Sequence, residues 1–548
     1  MTDRTTRTVL LRGGTVYSPA DPFATAMVVQ GDTVAWIGSE GAADAYVDGA
    51  DQVVDLAGAL VTPAFVDAHV HATSTGLALT GLDLTGCPSL AEALARLERH
   101  VRQERSRGRL GPDQGVLIGH GWDDTGWPEN RPPTRAELDA AADGAAVYLS
   151  RTDVHSAAAS TALRALAERD PAAPRLADLA GHHPDGPLSQ GAHHAVRRAA
   201  LAHLTADQRR DAQRATLDRA AALGIGALHE CAGPDISSAD DLTGLLALAA
   251  QGDGPEVFGY WGELGGVDTA RRLGAVGAGG DLFVDGALGS HTACLRAPYA
   301  DAPHTGAAHL TAAQVADHVT ACTEAGMQAG FHAIGDAALD AVVEGVRAAA
   351  LKVGTDRVRA LRHRVEHAEY LDDRAVAAFA ELGLVASVQP AFDAAWGGPD
   401  GMYVRRLGAD RAARLNPFAQ LLRAGVPLAF GSDAPVTPLD PWGTVRAAAF
   451  HRTDEHRISV RAAFTAHTRG GWRAVGRDDA GVLVPGAPAG YAVWRTGDLV
   501  VQAPDSRVAG WSTDPRSGTP GLPDLSPGNP LPVCLATVVR GRVVYGSL

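Results

Sequence analysis

The chain has 548 residues, 46% of them hydrophobic, which is material for a large core and more than one ordinary domain. Lys and Arg number 48 against 63 Asp and Glu, a net charge of −15 that opposes nucleic acid and anionic membrane surfaces as partners and favours an acidic soluble enzyme with a small-molecule substrate. Cys87, Cys231, Cys294, Cys322 and Cys534 are scattered and form no CxxC pair, so neither a disulfide framework nor a cysteine zinc site is expected.

The polar start MTDRTTRTVLLRGG has no hydrophobic signal region, and no apolar run reaches about 18 residues, so a cytoplasmic location is the expectation. Residues 1–58 read as short strands between turns: TVLLRGG, TAMVVQGDTVAWIG and QVVDLAG. The same texture returns within 479–548, in GVLVPGAPAGYAVWR and VCLATVVRGRVVYG. Together the two ends predict one small β-sandwich.

Between them, over 59–478, strand-like runs alternate with helical stretches such as AALDAVVEGVRAAALKVG, the pattern of an α/β fold with a parallel sheet. Eight candidate strands lie at 61–70, 224–230, 256–261, 281–286, 328–333, 363–367, 384–389 and 427–432, the number a (β/α)8 TIM barrel requires. The interval from about 72 to 222 is too long for a loop and must be an inserted subdomain. Its GHGWDDTGW and SRTDVHS segments make Trp122 and His155 candidates for substrate binding, with packing inside the insertion as the alternative. The Gly- and Pro-rich stretch 513–532 has loop composition.

The most informative segment is VTPAFVDAHVH, residues 61–71. Side chains at i and i+2 of a strand share a face, so His69 and His71 can hold one cation from the strand's C-terminal end. Three other apolar runs end in similar chemistry: FHAIGD at 331–336, RVEHAEY at 364–370 and FGSDAPV at 430–436. Barrel active sites lie at the C-terminal ends of the strands. His69, His71, His332, His367 and Asp433 are therefore expected at one mouth, and imidazoles from separate strands make zinc (Zn²⁺) the first metal to consider.

These segments, with GHGWDDTGW, SRTDVHSAAAS, LFVDGALGSHTACL and ASVQP, resemble the metal-dependent amidohydrolase superfamily along nearly the whole chain. The resemblance is narrowest to amidohydrolase family 3, which includes YtcJ-like proteins and the N-substituted formamide deformylases. It implies a catalytic barrel flanked by a β-sandwich, and hydrolysis by a water that a bound metal activates. It also implies that Asp433 accepts the water's proton and passes it to the leaving amine. Without the resemblance, Asp433 could instead be a helix N-cap ahead of Pro435.

One departure is informative. Binuclear members of the superfamily often bridge two ions with a carboxylated lysine on the fourth strand, but here that region reads GGDLFVDG, with Asp281 where lysine would stand. Lys352, in an outer helix, is the only lysine of the chain. A carboxylated lysine bridge is therefore not expected, and three arrangements remain. A single ion could be held by His69, His71, His332 and Asp433, with His367 hydrogen-bonding water or substrate. Two ions could share a bridge from Asp281 or Asp285, or the second position could stand vacant. The first is expected, with His367 able to bind a second ion weakly, because Asp281 at the start of a strand looks too far from the mouth.

Among the other polar groups, Gln389 could approach the substrate, and His291 and Arg296 either contact a polar substrate or belong to a surface loop. Glu366, next to His367 in a strand, should face the opposite side and reads as structural, while Asp336 should cap the next helix. The leading function is hydrolysis of a C–N bond, in a linear amide or N-substituted formamide. A mononuclear deaminase acting on a ring C=N bond and a non-catalytic barrel relative are the competing readings. A homodimer is compatible with the chain on general frequency alone.

Overall fold

The computed structural model describes residues 7–111, 115–124, 127–151, 156–169, 174–234, 236–501 and 519–548. Its centre is an eight-stranded sheet in which every ladder is parallel: β1 Phe65–Val70, β2 Ile225–Ala232, β3 Glu256–Trp261, β4 Gly277–Ala278, β5 Gln328–Ala333, β6 Arg364–His367, β7 Val385–Val388 and β8 Leu428–Phe430. The seam between β8 and β1 is closed just past the strand ends. There Asp433 N–H donates to His69 O at 2.8 Å and His71 N–H to Ala434 O at 3.0 Å. Gly431 allows this approach, since a Cβ there would lie 2.5 Å from His69 N.

Helices connect the strands, and their sequences explain their placement. Asp373–Leu382 begins at Asp372, whose side chain accepts from Ala375 N–H, and ends at Gly383 with φ 67°. Its buried Ala375, Val376, Phe379 and Leu382 recur at the helical spacing that faces a sheet.

Two of the predicted strands need correction. The run 61–70 is two elements, because Leu60–Pro63 pairs with Tyr491–Arg495 in the terminal sheet before β1 starts at Phe65. The fourth barrel strand is Gly277–Ala278, not 281–286. Gly279 (φ 146°) and Gly280 (φ 81°) interrupt it, and a Cβ on Gly279 would lie 2.1 Å from Gly330 N. The chain then rejoins the sheet, with Val284 N–H donating to His332 O at 2.9 Å.

Both termini supply a separate β-layer pair. A four-stranded sheet contains Thr8–Arg12, Ala26–Gln30, Thr33–Gly38 and Gln52–Asp55, and a five-stranded sheet contains Thr15–Val16, Leu60–Pro63, Tyr491–Arg495, Val533–Val539 and Arg542–Gly546. Leu11, Val29 and Val54 share one buried cluster with Tyr491, Val493 and Val538, so residues from the two ends of the chain form a single core.

Residues Ala72–Thr216 form a compact unit of their own. Its sheet runs Leu82–Asp83, Leu117–Trp122, Val147–Arg151, Ser156–Ala159 and Leu188–Ser189 in spatial order. Trp122 packs with Leu97, Trp127 and Leu149 in one of its cores, 2% exposed, and its indole N–H donates to Leu149 O at 2.9 Å. An indole buried on all sides with its donor already satisfied is a core residue, which corrects the expectation that Trp122 binds substrate. Among the described residues, no helix is long and apolar enough to cross a membrane.

Candidate active site

Four imidazoles converge on one carboxylate, that of Asp281. Its Oδ2 lies 3.2 Å from His71 Nε2 and 3.3 Å from His69 Nε2. Its Oδ1 lies 3.4 Å from both His332 Nδ1 and His367 Nε2. Asp433 Oδ1 adds a second carboxylate to the first pair, 3.1 Å from His71 Nε2 and 3.4 Å from His69 Nε2. The structure thus brings all five expected residues to one mouth, together with Asp281. The double-glycine interruption explains this: Asp281 follows the end of β4, and the two positive φ angles place its carboxylate at the mouth. A Gly-Gly pair before an acid inside a strand-like run is a bulge signal that the sequence already carries.

Each histidine is oriented from behind. His69 Nδ1–H donates to Glu366 Oε2 at 2.9 Å, His71 Nδ1–H to Cys231 O at 3.0 Å and His367 Nδ1–H to Gln389 Oε1 at 2.9 Å. His332 Nε2–H faces Gly286 O at 3.3 Å. These bonds select the tautomers and leave the opposite nitrogens facing Asp281.

Glu366 does not stand on the far side of β6. With Arg364 it fills the barrel interior, and His367, whose φ is 67°, turns back over the mouth. Asp433, with φ 54°, also has left-handed backbone. Such conformations cost a non-glycine residue on the order of 1–3 kcal/mol, and strain of this kind clusters at functional sites.

The electrostatics favour positive charge at the centre. Burial alone would raise the Asp281 pKa, yet His69, His332 and His367 hold it well below the usual carboxylate range. Burial opposes protonation of His71, but the neighbouring carboxylates of Asp281 and Asp433 outweigh it and push the pKa to about 10. Asp433 is likewise lowered, against its burial, by His69 and His71. His69 Nε2 and Asp433 Oδ1 are buried and have no hydrogen-bond partner among the described residues. Two triads, His69–His71–Asp281 and Asp281–His332–His367, each have ligand atoms within 4.8 Å of one another, as does His69–His367–Asp433. Orphaned acceptors within such triads fit cations.

Other expected residues fall elsewhere. Asp285 accepts from Cys294, Ile334 and Gly335 N–H at 2.8, 3.0 and 2.8 Å and braces its loop. His291 Nε2 bonds Asp301 Oδ1 at 2.9 Å and stacks edge-on with Tyr299, which makes it part of a loop network rather than a substrate contact. Arg296 is engaged by Asp340 and Asp372. Asp336 is the first residue of its helix, after N-cap Gly335, and accepts Arg296 N–H at 2.9 Å instead of capping. Gln389 holds His367, and its Nε2 is buried without a partner among the described residues. His155 lies outside the described residues.

Residues 52–545 match the Amidohydrolase family model Amidohydro_3. The chain is 26% identical to Protein LONG AFTER FAR-RED 3 of Arabidopsis thaliana, over 89% of this chain and 87% of that one. It is 27% identical to the putative amidohydrolase YtcJ of Bacillus subtilis, covering 74% and 76% of the two chains. Against the N-substituted formamide deformylase of Arthrobacter pascens the identity is 25%, covering 76% and 78%. The crystal structure of an uncharacterized metal-dependent hydrolase from Pyrococcus furiosus superposes with a TM-score of 0.73 at 26% identity, over 89% of this chain and 98% of that one. With its parallel barrel, its histidines at the strand ends and a family match along most of its length, the chain belongs to the amidohydrolase family.

Proposed function

We propose that this chain is a hydrolase in which Asp281, with His69, His71 and Asp433 on one side and His332 and His367 on the other, would hold two metal ions, and that it acts on the C–N bond of a linear amide such as an N-substituted formamide. The observation that carries the metal centre is the Asp281 carboxylate, which presents one oxygen to His69 and His71 and the other to His332 and His367, all at 3.2–3.4 Å. The single-ion arrangement expected from the sequence rested on Asp281 standing at a strand start, and that premise fails. Imidazole and carboxylate donors suit zinc, which we assign to both positions. Ions held there would supply an acidified water and a polarised carbonyl.

The protein groups do the rest. Asp433, ionised because its neighbours lower its pKa, takes a proton on Oδ1, which has no hydrogen-bond partner among the described residues, as water attacks the carbonyl carbon. When the C–N bond breaks, it passes that proton to the departing amine. The near-complete burial of His69, His332 and His367 excludes bulk water from the reacting groups.

The substrate class rests on the Arthrobacter relative and on family membership. Purified protein should release formate or another carboxylic acid from N-substituted formamides and simple linear amides. It should retain about two zinc ions per chain, and Asp281→Ala should lose both metal and activity. Release of ammonia from ring substrates without acid release would move the assignment to a deaminase. Full zinc content in Asp281→Ala would refute the bridge.

A further inference from the structure

The groups behind the four imidazoles are not equivalent. Among the described residues, His69 is the one backed at hydrogen-bond distance by a carboxylate, Glu366. His71 and His332 are backed by peptide carbonyls and His367 by the neutral Gln389 amide. Asp285 Oδ1 stands 4.0 Å from His332 Nε2, with its oxygens taken by backbone N–H groups.

Glu366 is itself held rigidly. Arg364 donates to it through Nε at 2.5 Å and Nη2 at 2.9 Å, both side chains being fully buried. The same guanidinium reaches Ala68 O on β1 at 2.6 Å, Ser387 Oγ on β7 at 2.7 Å and His229 Nδ1 on β2 at 3.1 Å. It also lies 4.4 Å from the centroid of the Tyr260 ring on β3. Five strands therefore fix the position of one carboxylate under one histidine.

A carboxylate behind a ligating imidazole makes it more basic as well as orienting it, and such outer partners typically govern about 10–100-fold in metal affinity. The position beside His69 and His71 also faces two carboxylate oxygens, Asp281 Oδ2 and Asp433 Oδ1. The position beside His332 and His367 faces Asp281 Oδ1.

We propose that Glu366, carried by Arg364, is a positioning residue that makes the His69–His71 side the tight cation position and leaves the His332–His367 side exchangeable. This rests on the two-ion reading. The bland alternative is that the Arg364–Glu366 pair only fills the core. A buried ion pair is weak evidence of stabilisation, and a core-filling role would not affect how two ions partition.

The test uses the full chain as purified, dialysed against graded free Zn²⁺ set by a chelator, with zinc per chain measured by plasma mass spectrometry. Wild type should lose its ions in two separate steps of one ion each. Glu366→Gln should weaken the tight step by about 10–100-fold and shift the other far less. Because that variant strands the Arg364 charge in the core and threatens folding, Gln389→Glu provides an independent arm. It places a carboxylate behind His367, strands no acceptor because Gln389 Nε2 has none among the described residues, and should tighten the weak step by about tenfold. Coincident steps in wild type, an unmoved tight step in folded Glu366→Gln, or an unmoved weak step in Gln389→Glu would each overturn the proposal. Saturation at one ion per chain would overturn the two-ion reading itself, and appears as a stoichiometry rather than a shift.

Discussion

Asp67 Oδ1 accepts the backbone N–H of Ser432 at 2.9 Å, and through this contact the first barrel strand is tied to the segment that carries Asp433. The same oxygen takes His69 N–H at 3.2 Å. Burial pushes the Asp67 pKa up to about 6, with these hydrogen bonds opposing the rise. The residue closes the seam of the barrel at the point where the site begins.

Asp67→Ala should therefore strand two buried N–H groups, at about 1–3 kcal/mol each, and lower the melting temperature. Asp67→Asn keeps an oxygen acceptor and should recover most of that loss. Thermal denaturation of both variants checks this, and equal melting temperatures for Ala and wild type would remove Asp67 from the seam.

Asp433→Asn retains the size of the side chain and removes the proton acceptor. General-base catalysis by a positioned group contributes about 10²–10⁴-fold, so kcat should fall by at least that order, and further where zinc is also lost. Zinc per chain measured on the same preparation separates the two causes. A kcat close to wild type would remove Asp433 from the mechanism.

Lys352 is held by Asp317 at 2.9 Å, and its side chain is 53% exposed near the end of the outer helix Asp336–Val353. Lys352→Arg should leave activity and zinc content unchanged, and bicarbonate should not restore activity to metal-stripped protein. Restoration by bicarbonate in wild type but not in the variant would contradict the Asp281 bridge.

His467 is buried and donates Nδ1–H to Val66 O at 2.8 Å. Burial lowers its pKa to about 4, against the partial support of that hydrogen bond. In the unfolded chain it titrates near about 6.5. The unfolded state therefore binds more protons below that pH, and the contribution of neutral His467 to stability is lost as pH falls from about 6.5 to about 4. His467→Gln has no such uptake, so the stability gap between wild type and variant should narrow by about 3 kcal/mol between pH 7 and pH 4. Denaturant melts at the two pH values check this, and a gap independent of pH would refute it.

Much of the site was legible because it depends on local periodicity. Alternation along Phe65–Val70 puts His69 with His71, the remaining motif residues end strands of one parallel barrel, and the one lysine, Lys352, is spaced to fall on an outer helix. What periodicity could not supply was the direction of side chains at places where the backbone leaves the strand conformation. Gly279 and Gly280 adopt positive φ, where Gly330 leaves no room for a Cβ on Gly279, and that moves Asp281 from the start of an imagined strand to the centre of the site. The left-handed turn at His367 lets it share the barrel mouth while Glu366 stands below, where simple alternation separates them. Trp122 reads as a pocket residue in its motif but is spent on the core of the insertion. Local spacing determines which residues end the strands, whereas close packing between distant backbones determines which carboxylates reach the metal position and which stand behind it.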